Sequence, residues 1–447
     1  MKRVIIFGSG LVSKPGIHYL LDRKNMFVTV ASNEPDKAAA LVKGRKNGKA
    51  LFCDVTDTGQ LESLIKENDI VVSLLPATFH PAVARLCLKN NKSMATASYA
   101  GSEVRALDSA ARSKGLLFLN EVGVDPGIDH MSAKKVIDQV YAEGGKVIHF
   151  YSFCGGLPAP EHNDNPFGYK FSWSPYGVLA ASKRPARYLE NGEVIEIDGS
   201  DLFSHFRLEK VNGLGTFEVY PNGDSLPYKE IYGLKDAQTL MRGTYRYPGW
   251  CETLKKIVEI GLIDETPVDN LAGTTFKKMT ARLIGAGKGE NIVRKTAEKI
   301  GLPENSTVIE KLKWLGLFDD KPVSGINNYL DMLSRLLQEK LYYKEGEKDM
   351  ILLRHKFVVE NSDKTRDIIT STLIDFGIPG GDSSMARTVS LPLAIGTRLM
   401  AENKIDLKGV QIPDKKELYE PILEELEQLN IKVVETRSPI GDSKLSL

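Results

Sequence analysis

The sequence predicts an α/β chain that joins a doubly wound parallel sheet to a mixed α+β domain and a small helical insertion. Three observations carry this. Short apolar runs alternate with amphipathic stretches up to about Asp125. Gly, Pro and aromatic residues then become dense from about Lys146 to Tyr232, and helical periodicity returns between about Thr253 and Leu341. Strand–helix alternation at such spacing builds βαβ units, whose crossovers cover both faces of a parallel sheet. A chain of 447 residues is too long for one core, so two or three domains are expected.

The elements follow in order. Val4-Ile5-Ile6-Phe7 reads as a buried strand, followed by a glycine turn and a helix over Lys14 to Arg23. Phe27 to Val30 is a second strand, Pro35 to Lys43 a helix and Lys49 to Cys53 a third strand. A helix at Gly59 to Glu67 leads to a strand at Ile70 to Leu75 and a helix at Val83 to Asn90. Then come a short strand at Ser93 to Ala97, a helix near Glu103 to Ser113 and a strand at Leu116 to Leu119. In the aromatic stretch, Glu193 to Ile197, Phe206 to Val211 and Thr216 to Tyr220 read as strands among long loops, and long ordered loops often carry function. Trp314, Leu315, Leu317 and Leu333 to Leu341 supply apolar faces to the helical segment. Ile351 to Glu360 reads as a strand, Ser384 to Ala401 as an apolar helix, and Lys415 to Leu429 as an acidic amphipathic helix leading into Asn430-Ile431-Lys432-Val433-Val434.

Composition narrows the partners. Lys+Arg at 59 against Asp+Glu at 58 leaves a formal charge of +1, without the basic excess that nucleic acid or an anionic membrane would select. No stretch approaches the roughly 20 apolar residues that span a bilayer. The apolar run Val4 to Phe7 is too short for a secretory signal. Cys53, Cys87, Cys154 and Cys251 are scattered without CxxC spacing. They are read as reduced thiols of a cytoplasmic protein, neither a disulfide framework nor a metal site.

Gly8-Ser9-Gly10-Leu11-Val12-Ser13 sits directly after the first strand and opens a helix. Gly8 permits the tight turn and Gly10 lets the backbone approach a pyrophosphate, while the helix N-terminus offers unpaired N–H groups. Ser13 replaces the third glycine of the usual fingerprint. The placement points to a Rossmann-type dinucleotide site. The second strand ends Val30-Ala31-Ser32-Asn33, where an NAD site usually carries a carboxylate for the ribose hydroxyls. Ser32 and Asn33 can donate to a 2′-phosphate, with Lys37 and Arg45 nearby. Glu34 stands one residue further on, and no Arg occupies the turn. NADP is favoured over NAD. Asp54 and Val55, after the third strand, are placed to meet the adenine edge, with a plain turn as the alternative for Asp54.

Three segments carry more polar chemistry than structure needs. Thr96-Ala97-Ser98-Tyr99 ends a strand, where ligands gather in open α/β sheets. Asn120 to His130 reads NEVGVDPGIDH, with acids, glycines and a proline after the last strand. Thr244-Tyr245-Arg246-Tyr247-Pro248-Gly249-Trp250 sets a cation among aromatics and a hydroxyl.

NEVGVDPGIDHM closely resembles the signature of saccharopine dehydrogenases of the glutamate-forming type, or saccharopine reductases. So do GSGLVSKP, ASYAG, FCGGLPAP, KFSWSPYGVLAAS, YPNGDSLPY, GTYRYPGWCET and SMARTVSLPLAIGTRLM, in the family's order through nearly the whole chain. The resemblance implies a homodimer with an interrupted Rossmann domain over 1–130, completed by about 385–447. It further implies a mixed-sheet substrate and dimerisation domain over 131–252 and about 343–384, with a helical insertion over 253–342. The implied reaction joins glutamate to aminoadipate semialdehyde as an imine and reduces it to saccharopine, or runs backwards.

The family's substrate-binding residues match Ser98, Tyr99, Asp125, Thr244, Tyr245 and Arg246. Arg246 suits a bidentate grip on a substrate carboxylate. Asp125 is expected to balance the substrate ammonium or move a proton, with an N-cap before the Pro126 helix start as the alternative. Tyr99 is expected to donate to substrate, against a packing role. Cys154, in FCGG, matches a cysteine lining the family's site. Asp125, Tyr99 and Cys154 form the candidate catalytic set, with Cys154 read more as lining than as chemistry. His130 suits a general base and equally a structural histidine at an apolar-flanked helix start, and it is left out of the catalytic set. Besides the glycine-turn residues, Ser32, Asn33, Asp54 and Val55, the candidate cofactor set holds Leu75, Ala97, Ser98, Val124, Asp125, Pro126 and Ser174.

One departure stands out. The family's YPN motif commonly continues with Arg, whereas Gly223 follows Asn222 here. Either Arg246 and backbone groups suffice, or Arg242 substitutes, or the substrate differs. A carboxynorspermidine-type dehydrogenase using the same imine chemistry, and a non-catalytic NAD(P) sensor, are the alternatives.

Overall fold

The computed structural model describes residues 1–440 apart from 174, 270–272 and 324. Its strands are β1 (Lys2–Phe7), β2 (Met26–Ser32), β3 (Gly48–Phe52), β4 (Ile70–Ser73), β5 (Ser93–Thr96), β6 (Leu117–Leu119), β7 (Lys146–Pro158) and β8 (Ala186–Glu190). They continue as β9 (Glu193–Ile197), β10 (Arg207–Val211), β11 (Gly215–Pro221), β12 (Thr239–Arg246), β13 (Asp349–Glu360), β14 (Arg366–Phe376), β15 (Gly409–Gln411) and β16 (Val433–Pro439). Two compact units form, Met1–Val147 with Leu353–Leu447, and Ile148–Leu352. The chain leaves the first unit within β7 and re-enters it within β13.

The first unit is built on a parallel sheet in the order β15-β6-β5-β4-β1-β2-β3. Its central strands are apolar on both faces: Val4 to Phe7 of β1 and Ile70 to Ser73 of β4 are all buried. Strand order reverses between β1 and β4, which opens a crevice at their carboxyl ends. The C-terminal segment belongs to this unit. β15 pairs with β6, and the helix Ser384–Ala401 packs on the helix Lys14–Leu21. That approach is close because Gly16 has no side chain: a Cβ there would lie 2.5 Å from the Ser390 carbonyl oxygen. The Gly16 N–H donates to Ser390 Oγ at 2.9 Å.

In the second unit β12 lies between β11, antiparallel, and β7, parallel, and β10 extends the sheet beyond β11. The β8–β9 hairpin joins β12 at Leu240↔Leu189. One hydrophobic cluster unites sheet residues such as Phe153, Phe217 and Tyr245 with Leu254, Leu312 and Leu333 of the helical segment. Those helices carry local start and stop signals in their sequence. Ser306 and Asn328 cap two of them through side-chain oxygens, and Gly316 ends one in the left-handed conformation.

Several elements differ from the sequence expectation. The helix expected at Val83 to Asn90 begins earlier, at His80, because Pro81 fits its first turn. The helix expected near Glu103 to Ser113 is two short ones, Ser102–Arg105 and Asp108–Ser113. β14 and the polar end of β16 carry no clean alternation; β14 is a strand because it pairs with β13 on one side and with β16 on the other, the latter from Asp367↔Pro439 to Leu373↔Val433.

Candidate active site

At the carboxyl end of β1, Gly8 takes φ +112°, and a Cβ there would lie 2.9 Å from the Leu74 carbonyl oxygen. Only glycine fits that turn without strain. Gly10 is exposed, with no heavy atom within 4 Å of an added Cβ. Gly8, Gly10 and the exposed Leu11 and half-buried Val12 therefore leave the backbone open before the helix Lys14–Leu21, a fit for a pyrophosphate. Ser9 Oγ donates to Ser32 Oγ at 2.8 Å, and the Glu34 N–H donates to the same oxygen at 3.1 Å. Both bonds leave the Ser32 hydroxyl proton for a further acceptor. Asn33 beside it is exposed. The nearby cations are already engaged: Lys37 pairs with Glu34 and Arg45 with Asp22, each at 2.5 Å. Lys37 thus offsets the one carboxylate that would repel a 2′-phosphate.

Asp54 sits in an exposed turn. Its carboxylate accepts from the Thr56 hydroxyl and N–H, which hold it below the usual carboxylate range. Val55 and Leu75 are half-buried against the core of the first unit.

The loop after β5 carries Ala97, Ser98 and Tyr99. Ser98 Oγ lies 2.8 Å from His80 Nε2, and His80 Nδ1 lies 2.9 Å from Ser73 Oγ at the end of β4. Burial lowers the His80 pKa to about 4, so the ring is neutral near pH 7 and offers one donor and one acceptor. The half-exposed Tyr99 donates its hydroxyl to Asp125 Oδ1 at 3.1 Å.

The GVDPG run explains how Asp125 is presented. The Gly123 N–H donates to the Pro126 carbonyl and the Ile128 N–H to the Gly123 carbonyl, each at 2.8 Å. Gly127 takes φ +146°, and a Cβ there would lie 2.1 Å from the Gly123 oxygen, so the two glycines make a loop no side chain could enter. Val124 and Pro126 are buried on either side of the partly exposed Asp125, and the Asp125–Pro126 peptide is cis. The following helix starts at Ile128 with Gly127 as its N-cap. Asp125 is therefore not a helix cap. His130 is fully buried and bonds Glu121 through Nε2 at 2.9 Å, as a structural histidine does.

In the second unit Thr244 and Arg246 point to one face of β12 and Tyr245 to the other. The Tyr245 ring packs edge-on to Phe153 and Phe217, so its side chain is core and its carbonyl, which accepts from Arg246 Nη1 at 2.8 Å, is what meets the polar face. Arg246 is 6% exposed, with Cζ 4.9 Å from the Tyr169 ring centre and 5.2 Å from that of Trp250. Among the described residues it forms no ion pair, and its Nε has no hydrogen-bond partner. Its cross-strand neighbour Glu218 is committed to the N–H groups of Gly249 and Cys251, at 2.7 and 2.8 Å. A buried guanidinium without a carboxylate is costly, and an anionic ligand group would relieve that cost.

The buried Cys154 is the register partner of Thr244 across β7 and β12. Gly223 takes φ +63° in an open turn; Arg242 stacks its guanidinium 4.4 Å from the Tyr228 ring centre. Ser174 lies outside the described residues.

Sequence reasoning missed His80, Tyr169 and Tyr220. Burial raises the pKa of the Tyr220 phenol, whose side chain hydrogen-bonds Thr244. His80 opens a helix with a proline behind it, and nothing in that pattern reveals that it reaches Ser98. Tyr169 reads as one aromatic among many.

Residues 4–119 match the saccharopine dehydrogenase NADP binding domain, and residues 123–431 the saccharopine dehydrogenase C-terminal domain. Saccharopine dehydrogenase (NADP+, L-glutamate-forming) of Schizosaccharomyces pombe is 39% identical over 97% of this chain and 99% of its own. The enzyme of the same name from Saccharomyces cerevisiae is 38% identical over 95% of this chain and 96% of its own. The mouse mitochondrial alpha-aminoadipic semialdehyde synthase is 37% identical over 98% of this chain but only 48% of its own. The solved apo structure of the histidine-tagged L-glutamate-forming enzyme of Saccharomyces cerevisiae superimposes with a TM-score of 0.88 at 36% identity, covering 98% of this chain and all of that one. Glycine turn, GVDPG loop and buried arginine thus stand in a chain that belongs to the saccharopine dehydrogenase family.

Proposed function

We propose that this chain interconverts saccharopine, NADP and water with L-glutamate, 2-aminoadipate 6-semialdehyde and NADPH. The observation that carries the proposal is Arg246, a buried guanidinium without a carboxylate partner among the described residues, in a chain whose relatives are named for a dicarboxylic amino-acid product. Those relatives favour neither the carboxynorspermidine nor the sensor alternative.

Gly8, Ser9, Gly10, Leu11 and Val12 would hold the NADP pyrophosphate, Ser32 and Asn33 its 2′-phosphate, and Asp54, Val55 and Leu75 its adenosine side. Ala97, Ser98, Val124 and Pro126 complete the cofactor residues, with Asp125 shared between cofactor and substrate. The cofactor would supply hydride chemistry at the carbon of the C–N bond, as acceptor in the NADP form and as donor in the NADPH form.

The protein's own groups do the rest. Arg246 and the Thr244 hydroxyl bind a substrate carboxylate, and the Tyr245 carbonyl steadies the guanidinium. Asp125 carries a proton between substrate nitrogen or water and solvent, while Tyr99, donating to it, orients the carboxylate. Cys154 lines the wall beside Thr244. A cytoplasmic homodimer belongs to the same reading; light scattering on the purified protein tests the dimer. The reaction itself is tested by adding saccharopine with NADP and then with NAD and following absorbance of the reduced cofactor. Reduction of NADP in preference to NAD supports the proposal; reduction of neither by a protein that binds NADPH overturns it.

A further inference from the structure

Glu121 is an unusual residue to find where it stands. Its backbone occupies the left-handed region at φ +62°, which glycine adopts freely and glutamate does not. Its carboxylate is 1% exposed, which costs free energy unless the charge is met. It is met from three directions. Oε1 accepts the Ala100 N–H and Arg105 Nη2, each at 3.0 Å, and Oε2 lies 2.9 Å from His130 Nε2. The Glu121 N–H donates to the Ser98 carbonyl at 3.1 Å, and the next residue, Val122, donates to the Thr96 carbonyl at 3.2 Å.

These bonds tie together two loops that are otherwise separate in sequence. One follows β5 and carries Ser98 and Tyr99; the other follows β6 and carries Asp125. The Tyr99–Asp125 bond closes between them at 3.1 Å. A glycine at 121 would fit the backbone without strain, so it is the carboxylate that this position needs. Ala100 immediately follows Tyr99, and fixing its N–H fixes the direction in which the tyrosine leaves the chain.

We propose that Glu121 is a positioning residue: its buried carboxylate clamps the Ala100 backbone and thereby holds the Tyr99 hydroxyl on Asp125. The proposal rests on the reading of Tyr99 and Asp125 as working groups. Glutamate at 121 touches neither substrate nor cofactor and acts through Tyr99.

The test is a double-mutant cycle on the full chain with saccharopine and NADP, using Glu121→Gly, Tyr99→Phe and the pair, with Glu121→Gln as the conservative variant. Gln keeps an acceptor for Ala100 and a donor for His130. Expected is a fall in kcat of about tenfold or more for Glu121→Gly, on the order of the gains that placed acid–base groups supply. KM and NADPH affinity should stay within about twofold, and Glu121→Gln should regain most of kcat. In the Tyr99→Phe background Glu121→Gly should cost little more. Full additivity of the two losses, or wild-type kcat in a folded Glu121→Gly protein, would overturn the proposal. If Glu121→Gly fails to fold, Glu121→Gln with Tyr99→Phe carries the test, and a large kcat loss in folded Glu121→Gln would contradict the clamp. An unimpaired Tyr99→Phe would instead sink the underlying reading of Tyr99, a distinguishable result.

Discussion

The glycine turn of the first unit and the Arg246 face of the second are built on opposite principles. The turn works by leaving side chains out: Gly8 and Gly10 expose backbone, and Ser9 and Ser32 add only two small hydroxyls. The Arg246 face works by burying a large charged side chain between Tyr169 and Trp250. A site made of backbone tolerates most side-chain changes nearby and fails where a Cβ appears. A site made of one buried charge fails when the chemistry of that side chain changes, whatever its size.

The largest effect is expected at Arg246. Arg246→Ala should raise KM for saccharopine by on the order of 100-fold, the scale of lost charged hydrogen bonds, with NADPH affinity unchanged. Arg246→Lys should recover little, because an ammonium cannot make the paired contact. Fluorescence titration with NADPH beside steady-state kinetics checks both; equal loss of both ligands would erase the contrast.

Next comes Gly8→Ala, the reverse case. Its left-handed backbone and the Leu74 oxygen leave no room for a methyl group. NADPH affinity should fall by about tenfold or more, with KM for saccharopine at saturating cofactor hardly moved. The same substitution at the open Gly10 should be milder.

The Ser73–His80–Ser98 chain lies between these extremes, a buried neutral ring serving a loop hydroxyl. Its folded pKa of about 4 lies below the unfolded value of 6.5, so the unfolded chain binds the proton first. The stabilisation is complete above pH 6.5 and is lost as pH falls from there toward 4. It amounts to about 3 kcal/mol across that window. His80→Gln should flatten the acid-side loss of stability, seen as a smaller shift of the urea midpoint between pH 7 and pH 5; an unchanged shift would remove His80 as its source.

The smallest effect is expected at Ser32. Ser32→Ala removes one neutral donor, so preference for NADP over NAD should drop by about fivefold to tenfold in kcat/KM. No change would mean that Asn33 or a backbone group reads the 2′-phosphate.

The same contrast decides what could be read from residues alone. The parallel sheet was legible because β1 and β4 are apolar runs with a glycine turn or a helix at each end, all local signals. Gly8 and the GVDPG loop were legible for the same reason, since their constraint is written in adjacent residues. The polar end of β16 was not, because what makes it a strand is β14, at least 60 residues away. At the site, Arg246 stood out as a cation in an aromatic run. Its lack of an ion pair among the described residues did not, since that depends on which groups the Glu218 oxygens accept from. His80 was missed because its helix start looks ordinary, and a helix cap stood as the alternative for Asp125 until the helix proved to begin at Ile128.

The proposed reaction is tested most directly by NADPH oxidation in the presence of 2-aminoadipate 6-semialdehyde, L-glutamate or both, with mass spectrometry of the product. Oxidation is expected only when both are present, yielding a product with the mass of saccharopine. Oxidation with the semialdehyde alone, or none with both in a protein that binds NADPH, would contradict it.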